Sequence, residues 1–197
     1  MSQPSTIRPN HTWSLPNLLT YGRVVAVPLV VGFLLQHDVY WMRWTAFWIF
    51  ALAGVTDFFD GYLARIWQQQ TSLGRMLDSI ADKLLIAASL LGLAAIGTFS
   101  GWSIWAAIII LCRELLVSGL REFLAELRVS VPVTWVAKWK TTVQIFALGF
   151  LIVGPAGEHV LPGTVAIGLA LLWVAALLTL YTGWDYMRSG LKHVVEA

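Results

Sequence analysis

The sequence predicts an all-α integral membrane protein with six transmembrane helices and both termini in the cytoplasm. Of its 197 residues, 58% are hydrophobic and 12% are charged, whereas roughly a quarter of residues are charged in soluble domains. Apolar stretches of about 20 residues, each long enough to cross a bilayer, recur along the chain. The length predicts one membrane-embedded domain, residues 1–197.

Breaks in the apolar pattern divide the chain into six expected spans. Residues 1–16 are polar and contain three prolines, so we expect a short cytoplasmic arm there. Gly154 and Pro155 form a strong helix-breaking pair that should close the fifth span. The expected spans are residues 18–36, 44–65, 74–98, 102–121, 135–153 and 163–183.

The distribution of Lys and Arg predicts the orientation of these spans. Cytoplasmic loops of membrane proteins carry an excess of Lys and Arg. Only Arg43 falls at the opposite side, which places the termini and the 66–73 and 122–137 loops in the cytoplasm. The compact length and the lack of a targeting peptide suggest a bacterial inner membrane. The basic residues on the cytoplasmic side are Arg8, Arg23, Arg65, Arg75, Arg121, Arg128, Lys138, Lys140, Arg188 and Lys192.

Overall charge and cysteine content exclude some functions. The net charge of +2 is too small to indicate nucleic-acid binding. The single cysteine, Cys112, excludes an intrachain disulfide and gives no metal-site spacing.

A short stretch from Asp57 to Asp82 concentrates aspartates inside this apolar sequence. Ionisable groups within a membrane span are costly, so they are functional candidates. Residues three, four or seven apart share one helical face. Two facing helices could therefore bring these carboxylates into one pocket beneath the cytoplasmic surface. The two faces carry Asp57, Asp60, Gly61 and Ala64, and Gly74, Asp78 and Asp82.

These residue types favour metal-assisted chemistry on a phosphate ester. Four carboxylates without His or Cys form a hard oxygen site that suits Mg²⁺ or Mn²⁺ better than Zn²⁺. More than one ion is expected, because four unneutralised carboxylates repel one another. Small residues leave room for a bulky ligand, and Arg65 offers a bidentate fork for phosphate. Together they suggest a diphosphate substrate and phosphoryl-type transfer at the membrane.

The complete spacing resembles the signature of the CDP-alcohol phosphotransferase family. The pattern is Asp57-x2-Asp60-Gly61-x2-Ala64-Arg65-x8-Gly74-x3-Asp78-x3-Asp82. Enzymes of this family displace CMP from a CDP-linked substrate with an alcohol. The resemblance implies a six-helix membrane fold, two divalent ions and usually a homodimer.

The resemblance also implies a role for each signature residue. Three aspartates would be metal ligands, and Asp82 would be both close to a metal and the general base. The metal ligands are thus Asp57, Asp60, Asp78 and Asp82, and the cytidine diphosphate pocket would be lined by Asp57, Gly61, Ala64, Arg65 and Gly74.

Residues outside the signature resemble the phosphatidylglycerolphosphate synthase branch of the family. They are LPNLLTYGR at 15–23, Arg113-Glu114, GLRE at 119–122 and the KxKTTxQ pattern from Lys138 to Gln144. In that branch the donor is CDP-diacylglycerol and the acceptor is glycerol 3-phosphate. Ala137 stands where that branch often has glycine. The acceptor is a dianion, and the cations expected to bind it are Arg113, Arg121, Lys138 and Lys140.

Several alternatives stay open at the level of sequence. Three of the cations, Arg121, Lys138 and Lys140, could each be a positive-inside anchor when taken singly, and Arg113 with Glu114 could serve helix packing. A sibling enzyme could use inositol phosphate, serine or phosphatidylglycerol as acceptor. Of these, only inositol phosphate would require the same cations. A divalent-cation transporter would explain the aspartates but not the small residues and Arg65.

Overall fold

The protein is an all-helical bundle over the described part of the chain. The computed structural model describes residues 15–66, 72–127 and 135–195, without the side chains of 15–16, 58–66, 72–73, 75, 126, 137–138 and 191–195. No strand occurs in these ranges, which confirms the all-α part of the predicted fold class. The helices are α1 Leu15–Leu35, α2 Tyr40–Ile66, α3 Ser72–Ala95, α4 Ser103–Glu126, α5 Trp135–Val153 and α6 Thr164–Val195.

Two helices differ from the sequence-based bounds. α6 continues to Val195 rather than ending near residue 183, because apolar residues alternate with polar ones at helical spacing beyond that point. α2 begins at Tyr40, so Arg43 lies within the helix rather than in the preceding loop. The remaining boundaries agree within a few residues.

Arg43 is a buried residue rather than a solvated loop cation. Its guanidinium donates hydrogen bonds to the carbonyl oxygen of Ile152 at 3.3 Å and to Thr98 Oγ1 at 3.4 Å. Gly154, in a short 3₁₀ helix after α5, has φ +50° and lies against this guanidinium. A Cβ at Gly154 would collide with Arg43 Nη1. Arg43 thus ties α2 to the ends of α3 and α5.

Four of the helices are long and apolar enough to cross a membrane. They contain the segments Asn17–Leu35, Ser103–Ala125, Trp139–Ala156 and Thr164–Gly190. In the described residues α2 and α3, which contain the aspartates, do not meet that criterion. The exposed surface is nevertheless apolar on both, as at Trp48 and Leu91, which are 59% and 62% exposed.

The six helices form two groups of three. α1 packs against both α2 and α3, which make little direct contact with each other. α6 packs in the same way against both α4 and α5. Contacts of α5 with α2 and α3 join the groups. The shared core contains residues from all six helices, including Leu34, Phe50, Leu90, Ile110 and Leu148.

Small residues allow the helices of this core to approach closely. Gly168 on α6 faces α5, where an added Cβ would lie 2.9 Å from Leu151 Cγ. Ala46 and Ala106 on other helices, and Ala175 on α6 itself, are also fully buried. Small residues at helix interfaces are typical of packing within membranes. The chain runs up and down through the bundle, so the end of α2 and the starts of α1 and α3 lie at the same end.

Candidate active site

Three carboxylates converge at that end of the bundle. Asp57 comes from the later part of α2, and Asp78 and Asp82 come from the first turns of α3. One carboxylate oxygen from each lies within 4.8 Å of the other two. The structure therefore brings together the three signature aspartates whose side chains it describes.

Arg23 of α1 lies at the centre of this acidic cluster (Asp57, Asp78 and Asp82 with Arg23). Its Nη1 is 2.6 Å from Asp57 Oδ1, 2.8 Å from Asp78 Oδ1 and 2.9 Å from Asp82 Oδ1. The Arg23 side chain is fully buried, whereas the three aspartate side chains are 38%, 41% and 43% exposed. The arginine thus contacts the carboxylates from the buried side, and their other side is accessible.

The acidic cluster fits a hard divalent ion. Three carboxylates with oxygens this close can share a cation, and the open side of the cluster allows one to approach. Oxygen-only ligands suit Mg²⁺ or Mn²⁺. Gly74 lies in the first turn of α3, one turn before Asp78. The side chains of Asp60, Gly61, Ala64 and Arg65 lie outside the described residues.

A second cluster of charged side chains lies on the other group of helices. Lys140 of α5 donates a hydrogen bond to Glu114 Oε1 of α4. Arg113 Nη1 is 3.4 Å from the same oxygen, and Arg113 Nη2 donates to Thr182 Oγ1 of α6 at 3.0 Å. We call Arg113, Glu114, Lys140 and Thr182 the basic cluster. It joins α4, α5 and α6 at the same end of the bundle as the acidic cluster.

The four predicted acceptor-binding cations have different surroundings. Arg113 and Lys140 meet at Glu114, and their side chains are 13% and 6% exposed. Arg121 lies two turns further along α4, exposed, with its guanidinium 5.7 Å from the ring centre of Tyr186. The side chain of Lys138 lies outside the described residues.

Gly183 of α6 makes room for Arg113. A Cβ at this position would stand 2.8 Å from Arg113 Cγ and 3.2 Å from its Nε. The arginine stem therefore packs directly on the backbone of α6, beside its bond to Thr182. A side chain at residue 183 would move the guanidinium.

The sequence alone indicates no site role for Arg23 or Thr182, and it leaves the role of Glu114 open. Arg23 counts among the cytoplasmic basic residues, although it is the ninth residue of a helix that starts at Leu15, a position that favours burial. Nothing in the sequence indicates a role for Thr182, because its partner Arg113 lies 69 residues earlier in the chain. The role of Glu114 was open, and the structure places it between Lys140 and Arg113.

Comparison with known proteins is consistent with this arrangement. Residues 13–181 match the family described as CDP-alcohol phosphatidyltransferase. This chain belongs to the CDP-alcohol phosphatidyltransferase family. The match contains the acidic cluster and all of the basic cluster except Thr182.

Relatives of this phosphatidyltransferase chain share most of its length. A Cereibacter sphaeroides protein is 39% identical over 93% of this chain and 98% of its own. A Rickettsia bellii protein is 42% identical over 91% and 97%, and a Shigella flexneri protein is 40% identical over 93% and 98%. All three are named CDP-diacylglycerol–glycerol-3-phosphate 3-phosphatidyltransferase.

Proposed function

We propose that the protein transfers the phosphatidyl group of CDP-diacylglycerol to glycerol 3-phosphate, giving phosphatidylglycerol phosphate and CMP. The observation that carries this proposal is the convergence of Asp57, Asp78 and Asp82 from two helices into one cluster. Relatives that are 39% and 42% identical carry the name of this reaction. The basic cluster at the same end of the bundle suits the phosphate of the acceptor.

The aspartates would hold the divalent ions on which the reaction depends. Asp57, Asp78 and Asp82 present oxygens on the open side of the cluster, and Asp60 lies one turn after Asp57 on α2. We propose two ions, Mg²⁺ or Mn²⁺, held by these four residues. Bound there, the ions supply positive charge to the diphosphate of the donor and to the leaving phosphate.

The cytidine diphosphate of the donor would bind at the signature residues between Asp57 and Asp82. Its acyl chains would lie along the apolar surface of the helix bundle. Gly61, Ala64, Arg65, Gly74 and Asp57 are the residues proposed to line the diphosphate pocket.

An apolar groove on the bundle suits a lipid donor. Its volume is about 750 Å³, and it runs between α2 and α5. Val55, two residues before Asp57, lines one end, and Thr142, two residues after Lys140, lies on the facing helix. Phe50 and Phe146 line its walls. The groove extends from there to Val160 and Leu161 near the opposite end of the bundle, and an apolar space of this length suits hydrocarbon chains.

The acceptor phosphate would be bound by the cations of the second group of helices. Arg113 and Lys140 are held together by Glu114, and Arg121 and Lys138 are proposed to complete the site. Charge-assisted hydrogen bonds to phosphate are among the stronger polar contacts in proteins. In the basic cluster the carboxylate of Glu114 holds Lys140 and Arg113 together in the way that a phosphate oxygen would.

We propose the following chemical step. Asp82 takes the proton from the primary hydroxyl of glycerol 3-phosphate, as general base. The resulting oxygen nucleophile forms a bond to the phosphorus that carries diacylglycerol. The bond from that phosphorus to the bridging oxygen breaks, and CMP leaves with the electron pair. Arg65 is proposed to balance the charge on CMP.

The orientation and assembly are part of the same proposal. We propose one domain with six spans, α2 and α3 included, and with both termini in the cytoplasm of a bacterial inner membrane. The active site then faces the cytosol, where glycerol 3-phosphate and CMP are soluble. We also propose a homodimer, as the family resemblance implies.

Release of CMP by the purified protein tests this function. The protein is mixed with CDP-diacylglycerol and Mg²⁺, and with glycerol 3-phosphate, inositol phosphate, serine, phosphatidylglycerol or no acceptor. We expect CMP release that depends on glycerol 3-phosphate. Release with another acceptor alone would replace the proposed acceptor. No release with any acceptor, together with uptake of labelled Mn²⁺ into vesicles, would indicate a cation transporter.

A further inference from the structure

Arg23 is the one residue of the acidic cluster that comes from α1. α2 and α3 make little contact with each other, and both pack against α1. The carboxylates of α2 and α3 nevertheless meet, because each lies within 2.9 Å of the same Arg23 nitrogen. Among the side chains that the structure describes, the guanidinium is therefore a direct ionic link between the two helices that carry the signature.

Burial makes this link strong and makes its loss costly. The Arg23 side chain has no solvent exposure, so water screens its charge little. Three carboxylates with oxygens within 4.8 Å of one another repel strongly unless a cation neutralises them. Removing one partner of a buried ionic group leaves the remaining charges uncompensated.

The same arginine also lies within reach of any cation bound to these carboxylates. The carboxylates contact Arg23 on their buried side and are accessible on the other. A divalent ion on the accessible side would share carboxylates with Arg23, and the two cations would repel each other. Arg23 therefore stabilises the cluster and opposes tight binding of divalent ions.

We propose that Arg23 is a positioning residue, a built-in counter-ion that holds the signature aspartates of α2 and α3 together and weakens their affinity for divalent ions. This inference rests on the proposed metal role of the aspartates. An active site of this kind keeps its shape without relying on metal to draw the carboxylates together. Arg23 of α1 then determines the affinity for divalent ions together with the signature aspartates.

Binding of Mn²⁺ to purified variants without substrates tests the inference. In Arg23→Met the positive charge is lost and an apolar chain of similar length remains. We expect Mn²⁺, titrated by electron paramagnetic resonance, to bind at least about tenfold more tightly than to the wild type. The melting temperature in EDTA should fall, and saturating Mn²⁺ should restore most of the difference. Unchanged or weaker binding of Mn²⁺ would overturn the proposal.

Arg43→Met is the matched control. Arg43 is also buried, but it bonds to backbone carbonyls and Thr98 at the opposite end of the bundle. This variant should lose stability equally in EDTA and in Mn²⁺, with Mn²⁺ affinity unchanged. Tighter Mn²⁺ binding in both variants would contradict a specific role for Arg23.

Arg23→Lys provides a second test that does not depend on the folding of Arg23→Met. The ammonium group keeps the charge, but a compact point charge replaces the planar fork. We expect a lower melting temperature in EDTA that Mn²⁺ restores, with Mn²⁺ affinity within about threefold of the wild type. An equal loss of stability with and without Mn²⁺ would show a merely structural arginine and overturn the proposal.

Asp78→Asn separates this inference from the proposed function. Loss of Mn²⁺ binding in this variant supports the metal role of the aspartates. If Mn²⁺ binding survives in it, that metal role is wrong, and the proposed mechanism is wrong with it. If Mn²⁺ binding is lost there but is not tightened in Arg23→Met, only the role of Arg23 is contradicted.

Discussion

In the group formed by α1, α2 and α3, three carboxylates surround one arginine, whereas in the group formed by α4, α5 and α6, one carboxylate lies between two cations. Among the described side chains of the first group, the counter-charge in contact with the aspartates is Arg23, which is buried beneath them. In the second, Glu114 is 20% exposed and its partner Lys140 is 6% exposed. The excess charge is thus accessible in the acidic cluster and more enclosed in the basic cluster.

This difference indicates how each cluster can accept a ligand. The aspartates can bind a cation on their open side while they remain in contact with Arg23. Lys140 and Arg113 are already bonded to Glu114, so an acceptor phosphate must share or replace that carboxylate. In the proposed reaction the acidic cluster is preorganised for a cation, whereas in the basic cluster a phosphate would share the cations with Glu114 or replace it.

Loss of the Asp82 carboxylate from the acidic cluster should have the largest effect on activity. Asp82→Asn keeps the shape of the side chain but cannot accept the proton of the acceptor hydroxyl. A general base contributes about 10²- to 10⁴-fold, so CMP release should fall by that factor. Asp38→Asn, at the opposite end and 92% exposed, is the control and should keep full activity. Release above about a tenth of wild type in Asp82→Asn would exclude Asp82 as the base.

Loss of Lys140 from the basic cluster should weaken binding of the acceptor. Lys140→Met should raise the KM for glycerol 3-phosphate about 10- to 100-fold, because a hydrogen bond to a charged group contributes about 1.5–3 kcal/mol. The KM for CDP-diacylglycerol should change less than about threefold. Arg121→Met is the comparison variant, and its effect should be smaller, because Arg121 is exposed to solvent. Equal changes in both KM values would contradict a role limited to the acceptor.

Moving Arg113 without removing it sharpens the same comparison. In Gly183→Ala the new methyl group would stand 2.8 Å from Arg113 Cγ, so the guanidinium must shift away from Thr182. We expect kcat/KM for glycerol 3-phosphate to fall roughly fivefold, about 1 kcal/mol. Gly32→Ala is the control, because nothing lies within 4 Å of its added Cβ. Unchanged kinetics in Gly183→Ala would show that the position of Arg113 is not important for acceptor binding.

Replacing Glu158, a carboxylate outside both clusters, should have the smallest effect and should change only the stability of the fold. Glu158 accepts hydrogen bonds from the backbone N–H groups of Gly163 and Val165 at the start of α6. These bonds lower the pKa of Glu158 below its usual value. A lowered pKa stabilises the folded state above the ordinary value of about 4.3, and this contribution is lost as the pH falls through the pKa of the folded state.

The melting temperatures of the wild type and Glu158→Gln test that prediction. The wild type should melt slightly higher between pH 6 and pH 8, and the difference should close as the pH falls below about 4.3. Activity at neutral pH should be unchanged. A difference that stays constant down to pH 3 would show that the hydrogen bonds of Glu158 do not depend on its charge.

The sequence predicted the helices well. It also singled out the aspartates of the acidic cluster and the cations Arg113 and Lys140 of the basic cluster. Apolar runs and breaker residues such as Gly154 located six helices, because these signals are local. The spacing of Asp57, Asp78 and Asp82 predicted their convergence for a similar reason, since helical periodicity fixes which residues share a face. Six membrane spans and the cytoplasmic side stay predictions.

The counter-charges and the uncharged partners could not be predicted in the same way. Arg23 contacts residues 55 and 59 positions later, and Lys140 lies 26 residues from Glu114. Such pairings depend on how helices pack, and a positive-inside count treats every arginine near a helix end as equivalent. An arginine within an apolar span nonetheless indicates that the arginine has a carboxylate partner.

The most direct test of the proposed reaction follows the acceptor into the lipid. The protein is incubated with CDP-diacylglycerol, Mg²⁺ and ¹³C-labelled glycerol 3-phosphate, and the lipids are analysed by mass spectrometry. We expect labelled phosphatidylglycerol phosphate in equal amount to CMP, and its loss in Asp82→Asn. Formation of CMP with unlabelled phosphatidic acid instead would mean that water, not glycerol 3-phosphate, attacks the donor, and would contradict the proposed function.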